Sequence, residues 1–379
     1  MHAYDVPFNR PWLAGREIEH VTASLGSIHT SGNGPYSRRA EALLAEILGA
    51  PRALLTSSCT DALEMTALLT GVGPGDEVIV PSFTFVSTAN AYAILGARPV
   101  FCDVRPDTLN IDEGAIEALI TPRTRAIVVV HYAGVACEMD AILATAARHG
   151  VPVIEDNAHG LFGSYRGRAL GTLGALATQS FHETKNVTSG EGGALIVNDP
   201  ALVERAEIVR EKGTNRARFL RGQVDKYTWV DLGSSYLPSD VTAAYLLGQL
   251  EARDEIQRRR RAIWKRYDAT LAGWAAETGA RRPVVPDHCG QAYHLYHLLL
   301  PDLTTRDAFI AHLRERRVQS VFHYVPLHTS DMGLRYGGRP GACPVTEDVS
   351  ARLVRLPFYN GMTREDQDRV IAAVTSFAG

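Results

Sequence analysis

The segment SFHETKN places a lysine, Lys185, directly after a predicted strand. The apolar run Thr178–Phe181 precedes it, and a glycine-rich turn leads from it into a second apolar run, Ala194–Val197. Most lysines lie on the protein surface. A lysine among small and polar residues at the end of a buried strand is instead placed to act as a nucleophile or a proton carrier. The four lysines of the chain are Lys185, Lys212, Lys226 and Lys265.

Two other segments carry polar residues with recognisable chemistry. Asp156 and His159 stand in EDNAH, where the apolar run Val151–Glu155 ends. A partly buried carboxylate stays ionised only beside a cation, and a protonated heterocyclic nitrogen would serve. The second segment, TSSCTDA, precedes a helix predicted to start near Ala62, and the N–H groups of a helix start bind phosphate. Taken singly, the two segments have ordinary interpretations, a surface acid and a helix cap.

Six short apolar runs with helical patterns between most of them must position these residues. Runs that are apolar throughout are typical of a parallel sheet buried on both faces, and their spacing fits β-α-β units. The runs are Glu77–Val80, Pro99–Val104, Ala126–Val130, Val151–Glu155, Thr178–Phe181 and Ala194–Val197, with covering helices at Ala115–Ile120 and Met139–His149. The sequence therefore predicts an α/β sheet whose strand ends carry the ligand site.

The pattern changes after about residue 240 and predicts a large α/β domain, 1–250, and a small α+β domain, 251–379. The predicted elements after this point are a long or kinked helix Asp240–Leu271, a strand Tyr293–Leu300, a helix Arg306–Arg316, a strand Gln319–Tyr324 and a helix Arg364–Ala378. The run Arg258–Arg261 is predicted to be a solvated helix surface, because four consecutive helical residues point to nearly all faces.

Composition excludes several classes of protein. The 379 residues carry 39 basic and 42 acidic side chains, a net charge of −3, so nucleic acid and an anionic membrane are not expected partners. The five cysteines are scattered without a CxxC pair, which argues against disulfides and a metal site. The sequence shows no signal-peptide pattern and no apolar stretch of membrane-spanning length. We therefore expect a cytoplasmic protein.

A phosphate-binding helix start, a carboxylate for a ring nitrogen and a lysine together suit pyridoxal 5′-phosphate. Longer motifs include PSFTFVSTAN, DVRPDTLNIDE, HYAGVACEMD, SFHETKN, EKGTNR and VFHYVPLH. Over residues 7–378 the sequence resembles the DegT/DnrJ/EryC1/StrS family of fold-type I sugar aminotransferases, and within it most resembles the dTDP-4-amino-4,6-dideoxygalactose transaminases. The resemblance implies an aspartate aminotransferase-like fold, with a three-layer sheet domain and a smaller C-terminal α+β domain.

The resemblance also implies which residues hold the cofactor. Lys185 would form the Schiff base, Asp156 would bond the pyridine nitrogen and His159 would lie near the phenolic oxygen. Phe85 would stack on the ring. The remaining cofactor contacts would be those of Ser58, Cys59, Thr60 and Ser180 with the phosphate, and of Ser235, which stands where the broader family has an Asn that reaches the phosphate from the partner subunit.

The implied reaction moves the amino group of L-glutamate, which leaves as 2-oxoglutarate, to C4 of dTDP-4-keto-6-deoxyglucose. His182 favours C4, because members that act at C3 usually have Tyr three residues before the lysine. The residues expected to contact the substrates are His182, Lys226, Tyr227, His323, Tyr324 and His328. The product would be a dTDP-4-amino-4,6-dideoxyhexose, in the galactose configuration by the closest resemblance. The enzyme would be a homodimer with active sites shared across its interface.

Three alternatives remain. One is a C3-specific sugar aminotransferase. Another is a pyridoxal phosphate-dependent sugar dehydratase of the same fold, in which histidine replaces the lysine. The third is a non-catalytic regulatory or scaffold homologue, which would be expected to lose Lys185 or Asp156. Both residues are present.

Overall fold

The structure, a computed structural model, describes residues 4–378. Its strands are β1 (Arg52–Thr56), β2 (Glu77–Pro81), β3 (Arg98–Cys102), β4 (Thr124–Val130), β5 (Val153–Asp156), β6 (Ser164–Tyr165), β7 (Arg168–Ala169), β8 (Leu176–Ser180), β9 (Gly193–Val197), β10 (Cys289–Gly290), β11 (His297–Leu299) and β12 (Leu353–Arg355). Its helices are α1 (Glu17–Leu25), α2 (Pro35–Leu48), α3 (Cys59–Leu69), α4 (Val86–Ala93), α5 (Glu113–Ile116), α6 (Met139–His149), α7 (Val203–Arg210), α8 (Arg216–Leu220), α9 (Asp240–Glu251), α10 (Arg253–Thr270), α11 (Ala272–Thr278), α12 (Leu303–Glu315), α13 (Asp331–Arg335), α14 (Pro344–Arg352) and α15 (Arg364–Thr375).

Seven strands form the main sheet in the order β1-β9-β8-β5-β4-β2-β3. The neighbours from β3 to β8 pair in parallel, whereas β9 is antiparallel to both β8 and β1. The strands β1 and β8 therefore run in the same direction. This mixed sheet, mainly parallel and apolar throughout, is the architecture that the sequence predicts.

The strand directions bring the predicted site residues to one edge of the sheet. Asp156 and Ser180 are the last residues of β5 and β8. Gly193, at the start of β9, pairs with both Ser180 and Thr56, so the end of β1 lies at the same edge. The helix α3 leaves from there. Because of the register of β9, the start of α3, the carboxylate of Asp156 and the segment that carries Lys185 lie side by side.

Helices cover both faces of this sheet, because successive side chains of a strand point to opposite faces. In β1, Leu54 packs with α3, α4 and α7, whereas Ala53 and Leu55 pack with α2 and α9. The helix α6 covers β4 on the face opposite α3. The predicted three-layer α/β class is confirmed.

A separate hydrophobic core joins α10, α11, α12 and α15 to β11 and β12. The helix α10 takes part in two cores, since Ile256 packs against the main sheet and Ile263 lies in the separate core. The helical conformation is interrupted at Ala252, between α9 and α10. The predicted domain boundary at residues 250 and 251 lies next to this break and stays a prediction.

Several predicted elements differ from the structure. The strand predicted at Gln319–Tyr324 is not formed as such, because within these residues the structure has a single isolated bridge, that of Val321 with Arg355. Tyr293–Leu300 shortens to β11, and Ala115–Ile120 becomes the end of α5 and a 3-10 turn. The sequence analysis did not predict the strand β1. Within residues 4–378, no helix has the length and apolar character that a membrane crossing would require.

The prediction of a solvated surface at Arg258–Arg261 is wrong for Arg260. Arg258 and Arg259 do pair with Glu255 at the surface. Arg260 is only 2% exposed. Its guanidinium donates to three oxygens, namely the carbonyl of Tyr293 at 2.8 Å, the side chain of Asn360 at 2.7 Å and the carbonyl of His294. The face of α10 that carries Arg260 therefore packs inward.

Candidate active site

A cavity of about 920 Å³ opens at the edge of the sheet where the polar segments meet. The sequence-predicted site residues that line it are Ser58, Cys59, Thr60, Phe85, Asp156, His159, Ser180, His182, Lys185, His323 and Tyr324. Phe8 and Asn9 of the N-terminal segment complete the wall on one side. One concave site thus collects residues from most of the chain, which is typical of a ligand-binding site.

Lys185 lies in the connection between β8 and β9. The N–H of Lys185 donates to the carbonyl of His182 at 2.9 Å, and this turn directs the side chain into the cavity. Burial lowers the pKa of Lys185 to about 8, against smaller opposing effects of Cys59 and Asp156. A substantial fraction of the amine is therefore neutral near physiological pH, as nucleophilic attack and proton acceptance require.

Asp156 is 5% exposed at the end of β5. One carboxylate oxygen accepts the hydroxyl of Thr88 at 2.8 Å, and the other accepts the N–H of Ala158 at 3.2 Å. No basic side chain among residues 4–378 lies within 4.0 Å of these oxygens. Burial raises the pKa of Asp156, although the two hydrogen bonds partly offset it. The described residues therefore provide no positively charged partner for this carboxylate.

Thr88 is a site residue that the sequence analysis missed. It is fully buried on α4, and the hydroxyl of Thr84 lies 2.8 Å from its own. The segment PSFTFVSTAN contains both residues, but no local pattern indicates that Thr88 reaches β5, since that contact spans 68 positions.

Replacing Thr88 by valine is expected to weaken cofactor binding by roughly 10- to 30-fold, because a buried hydrogen bond to a charged group is lost. Titration of the apoprotein with pyridoxal phosphate, followed by absorbance, measures this change. The matched variant T84V leaves the bond between Thr88 and Asp156 in place and should bind within about threefold of the parent. Equal losses in both variants would contradict a specific role for Thr88.

The start of α3 forms a phosphate-sized cradle. Ser58 caps the helix, its hydroxyl accepting the N–H of Asp61 at 3.0 Å. The N–H groups of Cys59 and Thr60 lie in the first turn of α3, where no preceding helical residue offers a carbonyl to accept them. They are therefore free to bind a ligand. A Cβ on Gly193 would stand 2.4 Å from the carbonyl of Ser58. Glycine at this position is what allows the helix start to approach β9.

His159 lines the same cavity as Asp156. Its ring stacks on His294 at 4.2 Å between ring centres, and its Nε2 lies 3.4 Å from the hydroxyl of Tyr324. The Nδ1 atom is buried without a hydrogen-bond partner among the described residues. Burial lowers the pKa of His159 well below its ordinary value, so the ring is neutral and has an unused polar atom in the site.

Four predicted residues do not line this cavity. Ser235, Lys226 and Tyr227 lie on an exposed segment. His328 is fully buried, with Nδ1 2.6 Å from the hydroxyl of Ser82 and Nε2 2.8 Å from Glu347. Both nitrogens of His328 are thus used within the protein, which is a structural arrangement rather than a substrate contact.

Arg355 and His294 line the cavity as well, and the sequence analysis missed both. His294 is linked to the residue after the lysine, since its Nδ1 lies 2.9 Å from the side-chain oxygen of Asn186. Neither residue stands in a motif that was singled out, and both approach from the second core. Only the packing of that core against the sheet could have revealed them.

The residues present fit pyridoxal phosphate. The carboxylate of Asp156 lacks the cation that a protonated pyridine nitrogen would supply, and His159 has an unpartnered nitrogen in the same cavity. The free N–H groups at the start of α3 suit the phosphate, and the amine of Lys185 suits the aldehyde. These observations define a pyridoxal phosphate-dependent aminotransferase of fold-type I.

The chain belongs to the DegT/DnrJ/EryC1/StrS aminotransferase family, whose model matches residues 12–375. It is 36% identical to the spore coat polysaccharide biosynthesis protein SpsC of Bacillus subtilis (strain 168), over 97% of this chain and 96% of that protein. The aminotransferase TlmJ from Streptoalloteichus hindustanus has 35% identity and a TM-score of 0.89, with 98% of both chains covered. The sugar aminotransferase Spr1654 from Streptococcus pneumoniae, described as putative and solved in its PLP form, has 25% identity and a TM-score of 0.91, again over 98% of both chains. The chain is a sugar aminotransferase whose cofactor is pyridoxal phosphate.

Proposed function

We propose that the enzyme transfers the amino group of L-glutamate to C4 of a dTDP-4-keto-6-deoxyhexose and gives the dTDP-4-amino-4,6-dideoxyhexose of galactose configuration. The observation that carries the proposal is the cavity in which Lys185, with its lowered pKa, shares a wall with His182 and a cation-free Asp156. In the family that this sequence resembles, His at the position of His182 accompanies amination at C4. We infer that the ring of His182, which lines the same cavity as Lys185, contacts the sugar.

The residues of the chain divide the work of the reaction. Bound pyridoxal phosphate would supply an electron sink for the negative charge that develops when a C–H bond next to the transferred nitrogen is broken. Asp156 holds the proton on the ring nitrogen, and that charge keeps the sink effective. In the first half-reaction the Nζ of Lys185 would take the proton from the donor's α-carbon and deliver it to the cofactor's aldehyde-derived carbon. In the second half-reaction it would move a proton from that cofactor carbon to C4 of the sugar.

The pH dependence of cofactor uptake tests the lowered pKa of Lys185. Only the neutral amine attacks the aldehyde. With a pKa of about 8, the rate of uptake by the apoprotein should rise about tenfold per pH unit below pH 7 and level off above about pH 9. Stopped-flow absorbance after mixing with pyridoxal phosphate measures the rate. A rate that keeps rising beyond pH 10 would indicate an ordinary lysine and contradict the prediction.

We also propose a homodimer whose partner subunit completes each site. Ser235, Lys226 and Tyr227 lie on a segment that exposes large apolar side chains to solvent, among them Trp229 at 74% and Leu232 at 61%. Several large apolar side chains exposed on one segment are typical of a surface that binds another protein. A second copy of the chain would cover it and bring polar groups of that segment to the neighbouring cavity.

The decisive experiment is incubation of the holoenzyme with L-glutamate and dTDP-4-keto-6-deoxyglucose. The proposal predicts one equivalent of 2-oxoglutarate and a product whose proton couplings between H3, H4 and H5 show an axial amine at C4. An equatorial amine at C4 would contradict only the proposed galactose configuration of the product. An amine at C3, a dehydrated sugar or no product would overturn the assignment of the sugar substrate.

A further inference from the structure

Tyr132 is a buried tyrosine whose hydroxyl contacts a histidine in the wall of the active-site cavity. It follows β4 and is 1% exposed, and its backbone N–H donates to the side-chain oxygen of Asn110 at 2.8 Å. Its hydroxyl lies 2.8 Å from Nδ1 of His323 and has no other hydrogen-bond partner among residues 4–378. Tyr132 itself does not line the cavity, whereas His323 does.

The direction of this hydrogen bond follows from the groups that each partner can reach. Burial raises the pKa of Tyr132 well above its ordinary value, so the phenol keeps its proton. If Nδ1 of His323 were the donor, the phenol proton would be buried without an acceptor, which is a costly arrangement. The phenol of Tyr132 therefore donates, and Nδ1 of His323 accepts.

This hydrogen bond determines where the imidazole of His323 carries its proton. Burial lowers the pKa of His323 well below its ordinary value, and Arg355 has a smaller effect in the same direction, so the ring is neutral. A neutral ring whose Nδ1 accepts a hydrogen bond carries its one proton on Nε2. The Nε2 atom has no hydrogen-bond partner among residues 4–378 and is not closed off from solvent. The cavity wall therefore offers an unused N–H donor.

The neighbouring His294 has the opposite arrangement. The side-chain nitrogen of Asn186 donates to the carbonyl of Ala292 at 2.7 Å, so its side-chain oxygen is the atom that lies 2.9 Å from Nδ1 of His294. That oxygen only accepts, and burial keeps the pKa of His294 well below its ordinary value. His294 therefore carries its proton on Nδ1 and has an acceptor at Nε2. Of these two histidines in the cavity wall, only His323 has a free donor.

We propose that Tyr132 is a positioning residue, which holds His323 in the orientation and tautomer whose Nε2–H donates to an oxygen of the sugar. The inference rests on the proposed function in one respect, namely that the amino acceptor is a keto sugar. A single neutral N–H suits an uncharged carbonyl or hydroxyl oxygen, whereas carboxylates and phosphates favour charged donors or several N–H groups together. The sugar is the substrate that carries such uncharged oxygens. Tyr132 acts through His323 and does not touch the substrate.

The variant Y132F removes the hydroxyl and keeps the ring, whose centre lies 5.1 Å from that of Phe83. With Y132F loaded with pyridoxamine phosphate, half-saturation by dTDP-4-keto-6-deoxyglucose should require about 3- to 10-fold more sugar, because one neutral hydrogen bond no longer orients the donor. Half-saturation by L-glutamate in the other half-reaction should stay within about twofold of the parent. Y92F is the matched control and should leave both half-reactions unchanged. Tyr92 is also fully buried, its hydroxyl lies 2.7 Å from that of Thr66, and it does not line the cavity.

Two measurements show whether Tyr132 acts through His323. In a double-mutant cycle, Y132F should cause no further loss of sugar binding once H323A is present. The second measurement is NMR of the holoenzyme labelled with 15N-histidine, in which H323A identifies the signals of His323. The parent should show a proton on Nε2 and none on Nδ1. Y132F should shift the Nδ1 signal, because the hydrogen bond to it is lost, and Y92F should not.

Several outcomes would overturn the role of Tyr132. They are an unchanged sugar half-saturation in Y132F, a similar loss in both half-reactions, an additive loss in the double variant, and a proton on Nδ1 of His323 in the parent. A parent enzyme that reacts with glutamate but not with this sugar would instead refute the proposed sugar substrate. The NMR measurement, which needs no sugar, would then decide alone whether Tyr132 sets the tautomer of His323.

Discussion

Replacement of Lys185 by arginine is expected to lower both half-reactions by at least about 10⁴-fold. Arginine keeps the positive charge but cannot deprotonate at any accessible pH. It therefore provides neither the nucleophile for the aldehyde nor the base that moves the substrate proton, two effects that depend on one correctly placed atom. Single-turnover absorbance changes with glutamate, and separately with the keto sugar, measure the loss.

The other lysines of the chain allow a close control for this experiment. Lys265 is exposed on α10, away from the cavity, and K265R should retain the parental rates. Borohydride treatment of the holoenzyme should fix the cofactor to the peptide that contains Lys185 in the parent and in K265R, but not in K185R. Labelling of any other lysine, or normal turnover by K185R, would remove the basis of the assigned site.

The main sheet and the centre of the site could be predicted from the sequence because their signals are local. Apolar runs marked most strands, and the polar segment that ends a strand lies next to it in the chain. Lys185 and Asp156 were found in this way, and parallel strand direction alone brings them to one edge. Helix boundaries depend on capping, and the structure starts α3 at Cys59 rather than near Ala62 because Ser58 is the cap.

The residues that escaped prediction act through distant contacts. Thr88 reaches Asp156 over a separation of 68 positions. Arg355 enters the cavity from a sheet of two strands. Arg260 looked like one of four solvated arginines until the packing of α10 showed which face is buried. Neither periodicity nor residue type encodes these contacts. That of Thr88 depends on how α4 packs on the main sheet, and those of Arg260 depend on the packing of α10 against the segments that carry Tyr293 and Asn360.

Glu155 and Asp156 are neighbouring carboxylates on one strand with different roles. Glu155 stabilises the fold, whereas Asp156 serves the reaction. They are consecutive in β5 and point to opposite faces. Glu155 accepts His131 at 2.8 Å and the N–H groups of Gly171, Leu173 and Gly174. Although burial acts against it, these hydrogen bonds hold the pKa of Glu155 below its ordinary value. Asp156 has the opposite shift, because its partner is a group that the protein itself does not supply.

Opposite results are therefore expected from the two amide variants. E155Q should destabilise the protein by about 3–5 kcal/mol, because it breaks a buried pair, while the cofactor that remains bound keeps its spectrum. D156N should unfold within a few degrees of the parent as apoprotein, since it removes a buried charge without a cation, yet turn over roughly 10³-fold more slowly because the proton on the ring nitrogen is no longer held. Thermal unfolding and single-turnover rates measure both properties. A D156N enzyme that loses stability in proportion to its rate would show that Asp156 serves the fold, as Glu155 does.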